Sequence, residues 1–340
     1  MTYTVAFVVF PGFSLINLSG PASVFDTANF ELRRSGKKAL YSVEVTSPAG
    51  GPVTSDGGIT VRTRALTRLP PTQVHTALFV GAHAEYLLAL TLDAPVRRWA
   101  ERCAHAAPRI GAVCTGAFVL AALGLLDGKR VATHWFACAS LAEKYPLVTV
   151  DTNSLYVVDG RTWSSAGASA GIDMALAMVG RDLGNSMASQ VAKGLVVYAR
   201  RPGYQSQFSP LLLAQAKADG PFVELTAWLH ANLHRPLGVR SLARRLRLSE
   251  RTFYRKFVAA TGDSPARFIE TVRLDAARTL LSQGLTLKAV AAQVGLAPTT
   301  RFTRAFERRF GISPSLFREV HGSVSTDADH QLTLPPGVKS

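Results

Sequence analysis

The fold class that the sequence predicts is an α/β domain followed by an all-α domain with two helix-turn-helix units. Three observations predict it. Over the first 200 residues, short β-rich runs alternate with helical patterns; beyond about residue 220 the strand signals stop; and two helical segments there carry the same inward pair of phenylalanines, Phe253/Phe257 and Phe302/Phe306. A chain of 340 residues is long enough for two separate cores.

The strand signals are Val5–Phe10, Tyr41–Thr46, Ala77–Val80, Arg109–Val113 and Leu155–Val158, all rich in Val, Ile and Phe. Helical patterns at Pro21–Arg33, Pro95–Ala106, Thr115–Leu123 and Gly171–Leu183 lie between them. Strands and helices in alternation imply a largely parallel sheet sandwiched by helices. This domain is assigned residues 1–198. Residues 199–220, interrupted by Pro, Gly and Gln, read as a linker region, and the polar segment 323–340 with its Pro-Pro pair reads as a disordered tail.

Composition narrows the function classes. The three cysteines, Cys103, Cys114 and Cys138, have neither a disulfide framework nor metal-ligand spacing, so a reducing, cytoplasmic setting without a bound metal is expected. The apolar start at 1–10 lacks the basic flank of a signal peptide, and the uncharged apolar run Ile110–Leu126 is broken by glycines and is at the short limit for a membrane span. No membrane association and no cofactor are expected. Residues 1–200 hold 18 Lys and Arg against 13 Asp and Glu, whereas residues 221–322 hold 17 against 7. A surplus concentrated in the C-terminal third points to a polyanion, with a solvated basic surface as the competing reading.

In residues 241–257 a short helix bearing Leu242, Ala243 and Leu246 is followed by a turn, and Ser249 is placed to cap a second helix. Phe253 and Phe257 face inward, which leaves Arg251, Tyr254 and Arg255 on other faces. In residues 287–306, Ala291 and Gly295 are four apart, and the glycine falls where a tight turn favours positive φ. Phe302 and Phe306 repeat the inward pair, and Thr299, Thr300, Thr303 and Arg304 are the outward groups. A long amphipathic helix at 264–282, with Phe268, Val272, Leu274 and Leu281 as its apolar positions, joins the two units.

Residues 221–322 resemble the DNA-binding domain of the AraC/XylS family. The likeness is carried by the segments 261–265, 273–281, 290–296 and 302–314. It implies double-stranded DNA as partner, with two helix-turn-helix units in neighbouring major-groove segments. A connecting helix of about 19 residues spans roughly 28 Å, near the repeat of the groove. Two residues depart from the family pattern: Arg247 stands where the first unit has its turn glycine, and Leu296 where the second has phenylalanine.

In the α/β domain the sequence Ala112-Val-Cys114-Thr-Gly116 lies between a strand and an apolar helix, the arrangement of a nucleophile elbow. A helix N-terminus there favours thiolate, and His134, on the next strand signal at 130–135, falls near the thiol. The competing readings are a small pocket-lining cysteine and a histidine satisfying a buried hydrogen bond. Residues 1–198 resemble the DJ-1/PfpI superfamily, which implies a flavodoxin-like fold within the class I glutamine amidotransferase-like group. The segments 114–128, 133–135 and 164–173 further resemble the GlxA-type regulators, which join such a domain to an AraC-type one. In enzymatic relatives a carboxylate from the first β–α connection stands beside the cysteine, or a histidine follows it directly. Here those positions are Asn17 and Thr115. An amide is neither a general acid nor a general base, so the resemblance implies a non-enzymatic domain with Cys114 and His134 as vestigial catalytic groups.

Together these features predict a transcriptional regulator. Its expected effector is a small molecule held by Asn17, Gly81, Cys114, Thr115 and His134, and its expected form is a homodimer through the α/β domain, with the transcription machinery as a further possible partner. A cysteine-dependent amidase or hydratase tethered to a DNA-binding module is the rival reading, and a redox sensor at Cys114 is the third.

Overall fold

The computed structural model describes residues 2–83, 85–87, 93–197, 200–207, 224–225, 228–229, 231–261 and 263–321. The chain divides into two compact units, Met1–Phe208 and Ser209–Ser340. The tail at 323–340 and most of the linker region lie outside the described residues.

The strands of the first unit are β1 (Tyr3–Val8), β2 (Tyr41–Ser47), β3 (Gly51–Thr54), β4 (Thr60–Ala65), β5 (Thr76–Val80), β6 (Arg109–Val113), β7 (Arg130–Val131), β8 (Thr149–Val150), β9 (Tyr156–Asp159) and β10 (Thr162–Ser165). Eight of them form one sheet of order β3-β4-β2-β1-β5-β6-β10-β9, while β7 and β8 pair separately. Pairings from β4 across to β10 are parallel, and only the outer pairs β3–β4 and β9–β10 are antiparallel. The helices are α1 (Leu15–Arg34), α2 (Ala94–Ala106), α3 (Ala117–Ala122), α4 (Cys138–Lys144), α5 (Ser169–Leu183) and α6 (Asn185–Gly194).

Strand alternation divides the core into two layers. Ala6, Val8 and Phe79 join Trp99, Leu120 and Leu141 in one layer. Val5, Phe7, Leu78 and Val80 join Phe25, Met174 and Val179 in the other. Burial on both faces explains why β1 and β5 read as continuous apolar runs. Cys103 and Cys138 are buried packing residues on α2 and α4.

Three expectations are corrected. α1 starts at Leu15, not at Pro21, which lies inside it and leaves the carbonyl of Asn17 without its usual i+4 donor. The run 130–135 is a strand only at Arg130–Val131; His134 precedes a single 3-10 turn at Trp135–Ala137. Residues 200–207, within the segment read as linker, are bonded to the first unit: Leu155 and Tyr156 donate to the carbonyls of Gln205 (3.0 Å) and Gly203 (3.1 Å).

The second unit is helical: α7 (Val239–Arg245), α8 (Glu250–Thr261), α9 (Pro265–Ser282), α10 (Leu287–Gln293), α11 (Thr299–Phe310) and α12 (Pro314–His321). Ser264 caps α9 by accepting from the Arg267 amide, and Phe268, Val272, Leu274 and Leu281 are all buried.

Candidate functional site

Cys114 follows β6 at φ 61°, a left-handed conformation that costs a non-glycine residue about 1–2 kcal/mol. A 3-10 turn at Cys114–Gly116 leads from it into α3. The elbow geometry of the sequence pattern is therefore present, and its neighbours are shaped to permit it. A Cβ at Gly167 would collide with the Cβ of Cys114, and a Cβ at Gly81 would come within 2.9 Å of it. Thr115 locks the far wall, since its hydroxyl donates to the Ala82 carbonyl (2.7 Å) and accepts from the Ala82 amide (3.0 Å). Thr133 donates its hydroxyl to the Cys114 carbonyl at 3.0 Å.

Asn17 is buried in α1 and hydrogen-bonds the thiol. Its Oδ1 accepts from the amide of Ala168 at 2.6 Å. Ala168 is itself at positive φ, so the turn between β10 and α5 is bent sharply to reach the asparagine. Burial raises the Cys114 thiol above its ordinary range, and the bonds from Thr115 and Asn17 only partly oppose this. The expectation of a favoured thiolate is corrected on that ground. Desolvation is the largest effect at a residue that is only 9% exposed.

The structure brings Asn17, Gly81, Cys114 and Thr115 together; His134 lies next to Thr133 on the elbow's rim. Among the described interactions none joins the His134 ring to the thiol, and its Nδ1 is buried without a partner. Burial lowers its pKa, which keeps the ring neutral at pH 7. The ring packs 4.6 Å from Phe136, and Trp135 and Phe136 are more than half exposed beside it.

Sequence reasoning missed the segment that leaves this unit. Gln207 donates its side-chain amide to the carbonyls of Thr133 (2.9 Å) and Ser154 (3.0 Å). Arg201 pairs with the buried Asp173 of α5 at 2.6 Å and donates to Ser169, beside Ala168. Burial raises Asp173 above the usual carboxylate range despite this partner. The exit segment is thus tied to both flanks of the elbow. The small-residue run 164–171 was the one sequence signal of so close a backbone approach.

In the second unit the two turns have the same bonding. Leu246, Arg247 and Leu248 donate to Leu242, Arg244 and Ala243; Val294, Gly295 and Leu296 donate to Val290, Ala292 and Ala291. Arg247 is at φ 54° and Gly295 at φ 68°. Phe253 and Phe257 on α8 and Phe302 and Phe306 on α11 are fully buried. From turn residue to first phenylalanine, the second unit is one residue longer, so the helices correspond from their phenylalanines: Arg255 matches Arg304, Tyr254 matches Thr303, and Arg251 matches Thr300. Arg251, Tyr254, Arg255, Thr300 and Arg304 are exposed. Thr299 and Thr303 are half-buried, and Arg301, which the sequence reading did not single out, is exposed.

Comparison with known proteins agrees with both halves. The DJ-1/PfpI family profile matches residues 3–181, and a helix-turn-helix domain profile matches residues 242–319. The HTH-type transcriptional regulator CdhR of Pseudomonas aeruginosa is 31% identical over 315 residues, 92% of this chain and 91% of that protein. The chain belongs to the HTH-type transcriptional regulators with a DJ-1/PfpI domain.

The HTH-type transcriptional regulator GlxA of Rhizobium meliloti is 28% identical over 94% of this chain and 96% of its own length. Two crystal structures share the fold. An AraC family transcriptional regulator from Pseudomonas putida matches with a TM-score of 0.50 at 24% identity, over 57% of this chain and 99% of that one. A ThiJ/PfpI family protein from Pseudomonas syringae matches with a TM-score of 0.52 at 23% identity, over 67% and 87%. As a regulator with helix-turn-helix units, the protein binds DNA through its C-terminal unit. Among its described residues no helix is long and apolar enough to cross a membrane.

In this regulator both departures from the AraC/XylS pattern are accommodated. Leu296 is buried at 2% exposure, and Arg247 takes up the backbone conformation of the glycine that it replaces. At Gly295 a side chain is excluded outright, because a Cβ would strike the Leu233 carbonyl and the guanidinium of Arg273. That arginine, itself buried, donates to the carbonyls of Leu233 and Arg235.

Proposed function

We propose that a small molecule bound at the Cys114 elbow controls how this regulator engages its operator. The observation that carries the reading is the attachment of the exit segment. Gln207 holds Thr133, and Thr133 holds the Cys114 carbonyl, so a change at the elbow is felt by the chain that runs on to the DNA-binding unit. Ligand control requires different affinities for two states, and an element bonded to the site's own wall supplies a means to distinguish them. The pocket comprises Asn17, Gly81, Cys114, Thr115 and the neutral His134. The sensing domain ends near residue 207, the DNA-binding domain occupies 221–322, and homodimerisation runs through the α/β domain. The protein acts in the cytoplasm, where contact with the transcription machinery completes its role.

Base reading is assigned to the two helices that follow the turns. Arg251, Tyr254 and Arg255 from α8, and Thr299, Thr300, Thr303 and Arg304 from α11, are the contact residues, with Arg255 and Arg304 in equivalent places.

The thiol is not assigned a catalytic role. Its described partners are an amide, a hydroxyl and backbone groups, none of which moves a proton at neutral pH, and burial disfavours the thiolate. The test starts with genome-wide footprinting to recover the operator. Metabolites related to the genes found there are then screened for a change in operator affinity, using wild type and Cys114→Ser. Effector response altered by the substitution is the expected result. Efficient turnover of an amide or isonitrile by wild type, abolished in Cys114→Ser, would establish the amidase or hydratase reading instead.

A further inference from the structure

We infer that Arg247, in the turn of the first helix-turn-helix unit, is a DNA-phosphate contact outside the two recognition helices. Its backbone is left-handed at φ 54°, a conformation that an arginine adopts at a cost and a glycine without one. The second unit has glycine at the corresponding place, with the same three backbone bonds around it. Among the described residues nothing inside the protein accounts for the arginine. Its side chain is exposed, and among the described residues it makes no hydrogen bond or ion pair. Neighbouring Arg245, by contrast, stacks on Trp228 at 4.1 Å and so serves the unit's own packing.

Arg247 instead lines a shallow cleft of about 560 Å³ together with Arg240, Arg244, Ser249 and Glu250. Three guanidinium groups around one concavity, with one carboxylate on its rim, suit a polyanion. The position selects the phosphate over the base. In a helix-turn-helix the residues at the start of the second helix enter the groove, and a turn residue four positions before Arg251 stands at the groove's edge, beside the backbone. The strained conformation is thus retained for a contact that a glycine cannot make.

The inference rests on the DNA-binding assignment, and its test separates the two. Binding of the full chain to two mixed-sequence duplexes of about three helical turns is followed by fluorescence anisotropy across a salt series. Arg247→Gly relieves the backbone; Arg247→Asn tolerates the left-handed conformation without the charge; Arg247→Lys keeps the charge. Each neutral variant is expected to weaken binding equally on both sequences and to reduce the magnitude of the log–log salt slope by about 1, with Arg247→Lys near wild type. The melting temperature of Arg247→Gly is expected to be no lower than that of wild type; should it be lower, Arg247→Asn decides. Salt slopes unchanged in both neutral variants, or a loss confined to one duplex, would overturn the inference. A wild type without salt-dependent binding would remove the DNA assignment and the inference with it.

Discussion

Cys114 is held so closely that each of its neighbours has a definite consequence. The thiol is buried, its pKa is raised, and Asn17 offers it a hydrogen bond rather than a base. Alkylation by iodoacetamide at neutral pH is therefore expected to be slower than for a free cysteine, whose reactivity follows its thiolate fraction. Cys114→Ser is expected to keep the fold, with a loss of no more than about 1–2 kcal/mol in urea unfolding, and to keep operator binding in the absence of effector. Labelling as fast as that of an activated cysteine would contradict this picture of the site. The two shifted histidines give a pH dependence of defined sign. Burial lowers the pKa values of His75 and His134, so the unfolded chain binds more protons than the folded one as pH falls below the unfolded value near 6.5. Stability due to these residues is complete above that value and is lost as pH falls toward the lowered folded values. Replacing both by Gln should narrow the difference in melting temperature between pH 7 and pH 5.5; an unchanged difference would show that neither ring titrates across that range. At the DNA surface, Arg255→Ala is expected to weaken cognate binding by about 1–3 kcal/mol and to relax preference at one base position, as for a bidentate guanine contact. Equal losses on cognate and random DNA would place Arg255 on phosphate instead.

At the level of elements, the sequence was most informative where periodicity was strong. β6 at Arg109–Val113 was legible to the residue and α9, read at 264–282, to within one residue, because a β-rich run and a regular apolar period mark them. Both helix-turn-helix units were legible because each needs an inward Phe pair four apart. The hairpin β3–β4 was not, since most of its residues are exposed and its alternation is of threonines and arginines. The start of α1 was hidden by Pro21, which normally opens a helix and here interrupts one. Of the elbow, Asn17, Thr115 and Cys114 were legible from their place in a motif. Gly167 and Ala168 lie in the small-residue run 164–171, which signals a close backbone approach but not its partner, and Gln207 depends on segments that meet only in three dimensions, with no local pattern to announce it. The exit segment also predicts a reciprocal effect. Gln207→Ala should raise the alkylation rate of Cys114 about fivefold or more while Cys103, buried on α2, labels as before, because coupling between two places acts in both directions. Peptide-resolved mass spectrometry reads both cysteines at once. Equal rates at Cys114 in variant and wild type would show that the segment is attached to the elbow without being coupled to it.

For the whole molecule, the division of charge matches the division of labour. The basic surplus is densest in the helical unit that carries the recognition helices: residues 221–322 hold 17 Lys and Arg against 7 Asp and Glu, whereas residues 1–200 hold 18 against 13. Part of that surplus is committed internally: Arg273 and Arg278 are buried, and Arg308 and Arg309 pair with Glu270 and Asp275. Exposed arginines on α7, the first turn, α8 and α11 are what remains for DNA. Neutralising about 6 phosphates would give a log–log dependence of affinity on salt with a slope near −5. The most direct measurement is therefore binding of duplex DNA across a salt series, made with the full chain and with a fragment starting at Gly220. The account predicts steep salt dependence near that slope in both, with the fragment binding more weakly because it lacks the α/β unit. A fragment that folds yet binds DNA without salt dependence, or does not bind it at all, would contradict the assignment of residues 221–322.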